Sequence, residues 1–281
     1  MILFAFSFGA LAWRRFDAAL FSLFLLLPTY LVRFSIGPVP ITILEVMLLV
    51  VFLVGITKHG AWNTKQLSRH KLLVAGIALF LLGATISIFT SLDTRAALGE
   101  WKAFYVEPIL LFFILLIAKA KRSSILLPLL ILGLITSLFA IVQHVTGWYI
   151  PEAFEGRVTA WYGFPNAVGL FLAPLVPFAI WGVVDHWKQR NLYLGACILF
   201  LLTAPMAIFF AKSTGALVGI AAAVGFLLLF SKKTRIPTIM LGATALIAIL
   251  VIPQLNSVKQ ELLLQDRSGQ IRISIWEETA E

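Results

Sequence analysis

The chain has 281 residues, 60% of them hydrophobic and only 12% Asp, Glu, Lys or Arg, with a mean hydropathy of +0.98. A soluble domain carries about twice that charged fraction, so the composition excludes a soluble globule and makes lipid the solvent. The formal charge of +9 and pI near 9.9 do not indicate nucleic acid, because the basic residues lie between apolar runs and do not cover one soluble face.

Apolar runs fall at residues 2–12, 16–35, 40–57, 71–90, 104–118, 124–146, 164–184, 192–211, 214–230 and 236–252. A membrane-crossing helix needs roughly 20 predominantly apolar residues, so the pattern predicts an all-α, polytopic integral membrane protein with about ten transmembrane helices. Residues 1–252 read as one transmembrane helical domain and 253–281 as the start of an external loop. Arg14 and Arg15 follow the short first run, a polarity opposite to that of a cleavable signal peptide. The runs are continuous and Leu-rich, whereas barrel strands alternate apolar and polar residues over about ten positions, so a β-barrel is excluded. Cys197, the only cysteine, sits inside an apolar run and reads as a core residue.

Orientation follows from the bias of Lys and Arg towards cytoplasmic connections. One alternating set, with Arg14, Arg15, Lys58, Lys65, Arg69, Lys119, Lys121, Lys232 and Lys233 among its members, holds 14 basic and 2 acidic residues against 8 and 11 in the other. The first set is expected in the cytoplasm. The connections around Arg33, Arg95, Arg157 and Lys212, and the segment after Ile252, are then external. The cytoplasmic connections carry no Gly-rich phosphate loop, metal-ligand spacing or nucleophile elbow, and the spans show neither an inverted repeat nor a string of mid-span charges.

The outer connection Gly147 to Gly169 reads GWYIPEAFEGRVTAWYGFPNAVG. Trp148, Tyr149, Trp161 and Tyr162 fit an aromatic belt at the interface, but an outward Arg157 opposes the positive-inside bias, and its planar fork suits bidentate binding of phosphate. Asn166, after Pro165, is placed to cap the next helix, and the unpaired amides of such a helix start suit an anion. In the turn KSTGA, Ser213 or Thr214 is placed to cap the following helix and Gly215 to admit another backbone closely. Lys212 either adds a cation to that rim or snorkels from a helix end. His144 reads as a packed or capping histidine.

Together these strings resemble the O-antigen ligase and polymerase family of bacterial enzymes, over nearly the whole chain. The resemblance rests on PTYLVRFSIGPVPITILE from Pro28, ALGEWKAFYVEPIL from Ala97, GRVTAWYGFPNAVGLFLAPLVP from Gly156, the KSTGA turn and RISIW from Arg272. It implies a membrane glycosyltransferase that moves a glycan from a polyprenyl diphosphate carrier to a glycan or glycolipid acceptor at the outer face of the bacterial inner membrane. The partners are then that lipid-linked glycan, the acceptor and the bilayer. Arg157 and Arg272 are the implied diphosphate ligands, with Lys212, Arg33 and Lys102 as further cations; Asn166, Glu45 and Glu107 support them or pair with them. The family turn usually begins Ser-Arg-Gly, and Lys212-Ser213-Thr214-Gly215 departs from it. Fixed cations beside lipid stabilise the charge that develops on the diphosphate leaving group, so neither a metal nor a cofactor is required.

The family's acceptor-activating histidine lies beyond the RISIW-like segment, so residues 1–281 are expected to be incomplete and inactive in transfer while still binding the carrier. Two readings from other classes stand beside this one. A glycolipid flippase or exporter would continue polar residues through the spans, which are apolar below the rim here; a non-catalytic membrane assembly partner would fit a missing catalytic segment.

Overall fold

The computed structural model describes residues 2–37, 39–60, 71–154, 156–230, 232–252, 256–265 and 267–280. Lys65, Arg69 and His70 of the basic connection before Lys71, Glu155 of the outer one and the boundary residue Pro253 lie outside the described residues. The described chain is helical apart from one antiparallel hairpin, and it forms two compact units, Met1–Leu132 and Gly133–Glu281.

Among the described residues four helices are long and apolar enough to cross a membrane: Lys71–Thr90, Ser123–Thr146, Asn166–His186 and Leu192–Phe210. The expectation of about ten is corrected to these four because several apolar runs form helices shorter than the roughly 20 residues a crossing needs. Ile2–Arg14, Thr214–Leu229 and Arg235–Val251 have 13, 16 and 17 residues. At about 1.5 Å per residue the longest of them covers about 25 Å of a hydrocarbon core about 30 Å thick. The run 16–35 breaks for a different reason. Its helix, Phe16–Leu25, stops before Pro28, whose fixed φ and missing N–H end regular α-structure, and a 3-10 turn over Leu27–Leu31 leads into the hairpin.

In the first unit, α1 (Ile2–Arg14), α2 (Phe16–Leu25), the hairpin β1 (Arg33–Ile36) and β2 (Val39–Thr42), and α3 (Ile43–His59) are followed by α4 (Lys71–Thr90), α5 (Thr94–Glu100) and α6 (Glu107–Ile117). The hairpin pairs Arg33 with Thr42 and Ser35 with Pro40. Thr42 then starts α3, its side chain accepting from the Glu45 amide at 3.1 Å. α3 packs on α1, α2 and α6 around Ala12, Ala19, Leu20, Met47, Val51 and Ile114, all fully buried. Gly55 makes this possible, since a Cβ there would run into the side chains of Ile114 and Phe16. Between α5 and α6 the helix widens into a π turn over Trp101–Val106.

α7 (Ser123–Thr146) runs from the end of the first unit into the second. There follow α8 (Asn166–Leu172) and α9 (Leu175–His186), which together form one span, then α10 (Leu192–Phe210), α11 (Thr214–Leu229), α12 (Arg235–Val251), α13 (Asn256–Leu262) and α14 (Arg267–Ala280). Phe200 of α10 and Leu175 of α9 close on Gly133 of α7, and the buried hydroxyls of Ser137 and Thr203 meet at 2.8 Å. Small residues and interhelical hydroxyls are what hold helices together where lipid removes the hydrophobic drive. Cys197 is buried, its sulfur beside Gly182, as a core residue.

Candidate functional site

The connection between α7 and α8 is held by a residue that the sequence pattern does not single out. Gln143, fully buried near the end of α7, donates from Nε2 to the carbonyls of Tyr149 and Ala160, both at 3.1 Å. Its Oε1 accepts from the amides of Thr159 at 3.2 Å and Ala160 at 2.8 Å. Both hydrogens and both lone-pair sites of the amide are thus used. Tyr149 and Ala160 lie in the left-handed region, at φ 59° and 50°, where non-glycine residues are uncommon. A short side chain at position 143 would leave the loop without these anchors. The available signal was a side-chain amide near the end of a largely apolar helix.

The loop so fixed presents Arg157, half-buried, to the turn after α10. Its Nε donates to the Ala211 carbonyl at 2.9 Å, and its Nη2 donates to Asn166 Oδ1 at 2.7 Å and to the Lys212 carbonyl at 3.3 Å. The Val158 amide reaches the Phe210 carbonyl at 3.4 Å. Among the described residues Nη1 keeps no partner, the Lys212 ammonium is exposed and unpaired, and no carboxylate pairs with either cation. The remaining Nη1 donors and the Lys212 ammonium are therefore the groups open to an anion.

Lys212 itself sits at φ 48°, with its amide on the Phe209 carbonyl and the Ser213 amide on the Ile208 carbonyl. This is a Schellman ending, whose left-handed position is usually glycine. A lysine there keeps a cation at a backbone position that disfavours a side chain.

Three expectations about this rim are corrected. Asn166 is the first residue of α8 and makes no cap; its side chain is turned to Arg157, and the Ala167 and Val168 amides already bond the carbonyls of Phe164 and Pro165. Ser213 occupies the N-cap position of α11 without a side-chain cap bond. Gly215 has nothing near its missing Cβ. The close approach is at Gly169, where a Cβ would lie 2.5 Å from Ser213 Oγ and 2.6 Å from Ala216 Cβ.

Aromatic rings surround the loop. Phe139 stacks on Trp161 and meets the exposed Trp148 edge-on, while His144 lies flat on Phe210 with ring centroids 3.8 Å apart, in the packing role expected of it.

Arg33, Glu45, Lys102 and Glu107 belong to the first unit. Lys102 donates to Glu45 Oε2 at 2.9 Å and to the Pro40 carbonyl at 3.1 Å, so its charge is already matched. The π turn bonds the Glu107 amide to the Lys102 carbonyl and sets the two residues on one face. Arg33 is exposed on β1. Arg272 is exposed on α14, with no hydrogen bond or ion pair to Arg157, Asn166 or Lys212.

These features define a class: a helical protein with four candidate membrane spans and, where two of them are joined to their neighbours, a pair of cations that no carboxylate among the described residues pairs with. No protein-family model, no curated protein and no solved structure matches the chain.

Proposed function

We propose that the chain is a membrane glycosyltransferase of the O-antigen ligase and polymerase type, acting on a polyprenyl-diphosphate-linked glycan at the outer face of a bacterial cytoplasmic membrane. The observation that carries this reading is the convergence of Arg157 and Lys212 on one turn where, among the described residues, no carboxylate pairs with either. A held, half-buried guanidinium with an exposed ammonium beside it suits a diphosphate, and the pair stabilises it further as the glycosidic bond breaks and charge passes to the leaving group. Arg272, in the same unit as Arg157, is the secondary cation of this reading, while Arg33 and Lys102 belong to the first unit and Lys102 is matched there by Glu45. In it some of the shorter apolar helices also enter the bilayer beside the four long ones, thinning it locally or snorkelling at their ends. The basic-rich connections face the cytoplasm.

The test is carrier binding by Arg157→Lys and Arg157→Ala in reconstituted membranes. Arg157 spans three acceptors while offering Nη1 outward, which a single ammonium cannot reproduce. Both variants are expected to lose binding to nearly the same degree. Wild-type behaviour of Arg157→Lys would remove the diphosphate role.

A further inference from the structure

A second basic site lies in the first unit, at the end where α1, α3 and α6 finish and α2 begins. A cavity of about 480 Å³ there is lined by Arg14, Arg15, Asp17, His59, Lys119 and Lys121, with Phe16 among the remaining walls. Its size falls in the roughly 300–1,000 Å³ range of ordinary small-ligand pockets. We infer that this cavity binds a phosphate group, carried either by an anionic phospholipid headgroup or by a soluble phosphate.

Charge is the first support. Four lining residues are permanent cations and one is an acid, and that acid, Asp17, is held by Lys121 at 2.9 Å. Arg14, Arg15 and Lys119 have no side-chain partner among the described residues. Basic residues at the ends of α1 and α3 compensate their helix dipoles, which accounts for their sign but not for their meeting around a cavity.

The backbone is the second support. Lys119 lies at φ 49°, its amide on the Leu116 carbonyl and the Ala120 amide on the Leu115 carbonyl. That is again a Schellman ending with lysine in the glycine position, a strained arrangement that retains a cation in the cavity wall. Arg15 begins α2 without any side-chain cap, so the positive end of that helix faces the same space. Order is supplied by Lys58, whose ammonium donates to the Trp13 carbonyl at 2.6 Å, and by the edge-on contact of Phe16 with His59.

The purified full chain in neutral detergent is titrated by native mass spectrometry with short-chain phosphatidylglycerol, with phosphatidylcholine of the same chain length, and with inorganic phosphate. One phosphatidylglycerol should be retained about tenfold more tightly than phosphatidylcholine, well below the sum over three basic residues because these side chains are exposed. Arg14→Gln with Arg15→Gln should reduce it to the phosphatidylcholine level. Lys119→Gly, which relaxes the backbone, should weaken it several-fold without lowering thermal stability. Lys232→Gln with Lys233→Gln removes equal charge elsewhere and should change nothing. Displacement of the lipid by millimolar phosphate would assign the site to soluble phosphate, and persistence of the lipid would assign it to the headgroup. Equal retention of the two lipids without phosphate binding, or equal loss in the Lys232 and Lys233 variant, would overturn the proposal.

Discussion

Replacing Gln143 by Leu removes four hydrogen bonds that together shape the Arg157 loop. The amides of Thr159 and Ala160 are then stranded at positions 1% and 0% exposed, and each buried unsatisfied group costs about 1–3 kcal/mol. The carbonyls of Tyr149 and Ala160 lose the Nε2 donor as well, and the left-handed backbone at both positions has no anchor left to hold it. The loop recovers part of this by opening to water, which leaves a local destabilisation of about 3 kcal/mol, or roughly a hundredfold change in the opening equilibrium. Hydrogen exchange read on the peptide containing Thr159 and Ala160 should speed up by about that factor, while peptides from α10 change little. Carrier affinity should fall with it, because Arg157 hangs from the same loop. Unchanged exchange in Gln143→Leu would refute the anchoring role.

Lys212→Gly should raise thermal stability by up to about 1 kcal/mol, because glycine carries no penalty at this left-handed position, and should at the same time weaken carrier binding; intact binding by ligand titration would make Lys212 a helix-end residue only. Gly169→Ala should cost about 1–3 kcal/mol by thermal unfolding, since its Cβ would meet Ser213 and Ala216. Gly215→Ala, with open space, should be neutral or stabilising by up to about 1 kcal/mol, and the reverse order of the two would contradict the assigned close approach. Lys102→Met should destabilise by about 1–3 kcal/mol, less than a fully buried pair because the Lys102 side chain is 34% exposed. Adding Glu45→Leu should recover most of that loss, as the 11%-exposed carboxylate is no longer left without its cation.

Apolar composition made the membrane class and the positions of the long helices legible, and Lys71–Thr90 coincides with its apolar run. Helix length was less legible. Pro28 cut the run 16–35, where composition alone continues, and turned it into a hairpin that seats Arg33 opposite Thr42. Within the rim, residue type pointed to Arg157 and Lys212, but not to what they touch. Asn166 looked like a cap because Asn before an apolar run usually is one; the guanidinium nine residues back is its actual partner. Gly169 and Gly215 are equivalent in sequence, and only the packing of α8 on the turn after α10 tells them apart. Gln143 was missed because a polar residue near a helix end carries no period, and the contacts that define it come from residues up to 17 positions away.

The most direct measurement of the central claim uses a photoreactive polyprenyl diphosphate, with or without its glycan, incorporated in membranes beside the full chain. Cross-links are mapped by mass spectrometry and competed with unlabelled polyprenyl diphosphate, polyprenyl monophosphate and free polyprenol. The account predicts adducts in the peptides carrying Arg157 and Lys212, lost in Arg157→Ala and competed best by the diphosphate. Adducts confined to other segments, or competed equally by the uncharged polyprenol, would contradict it.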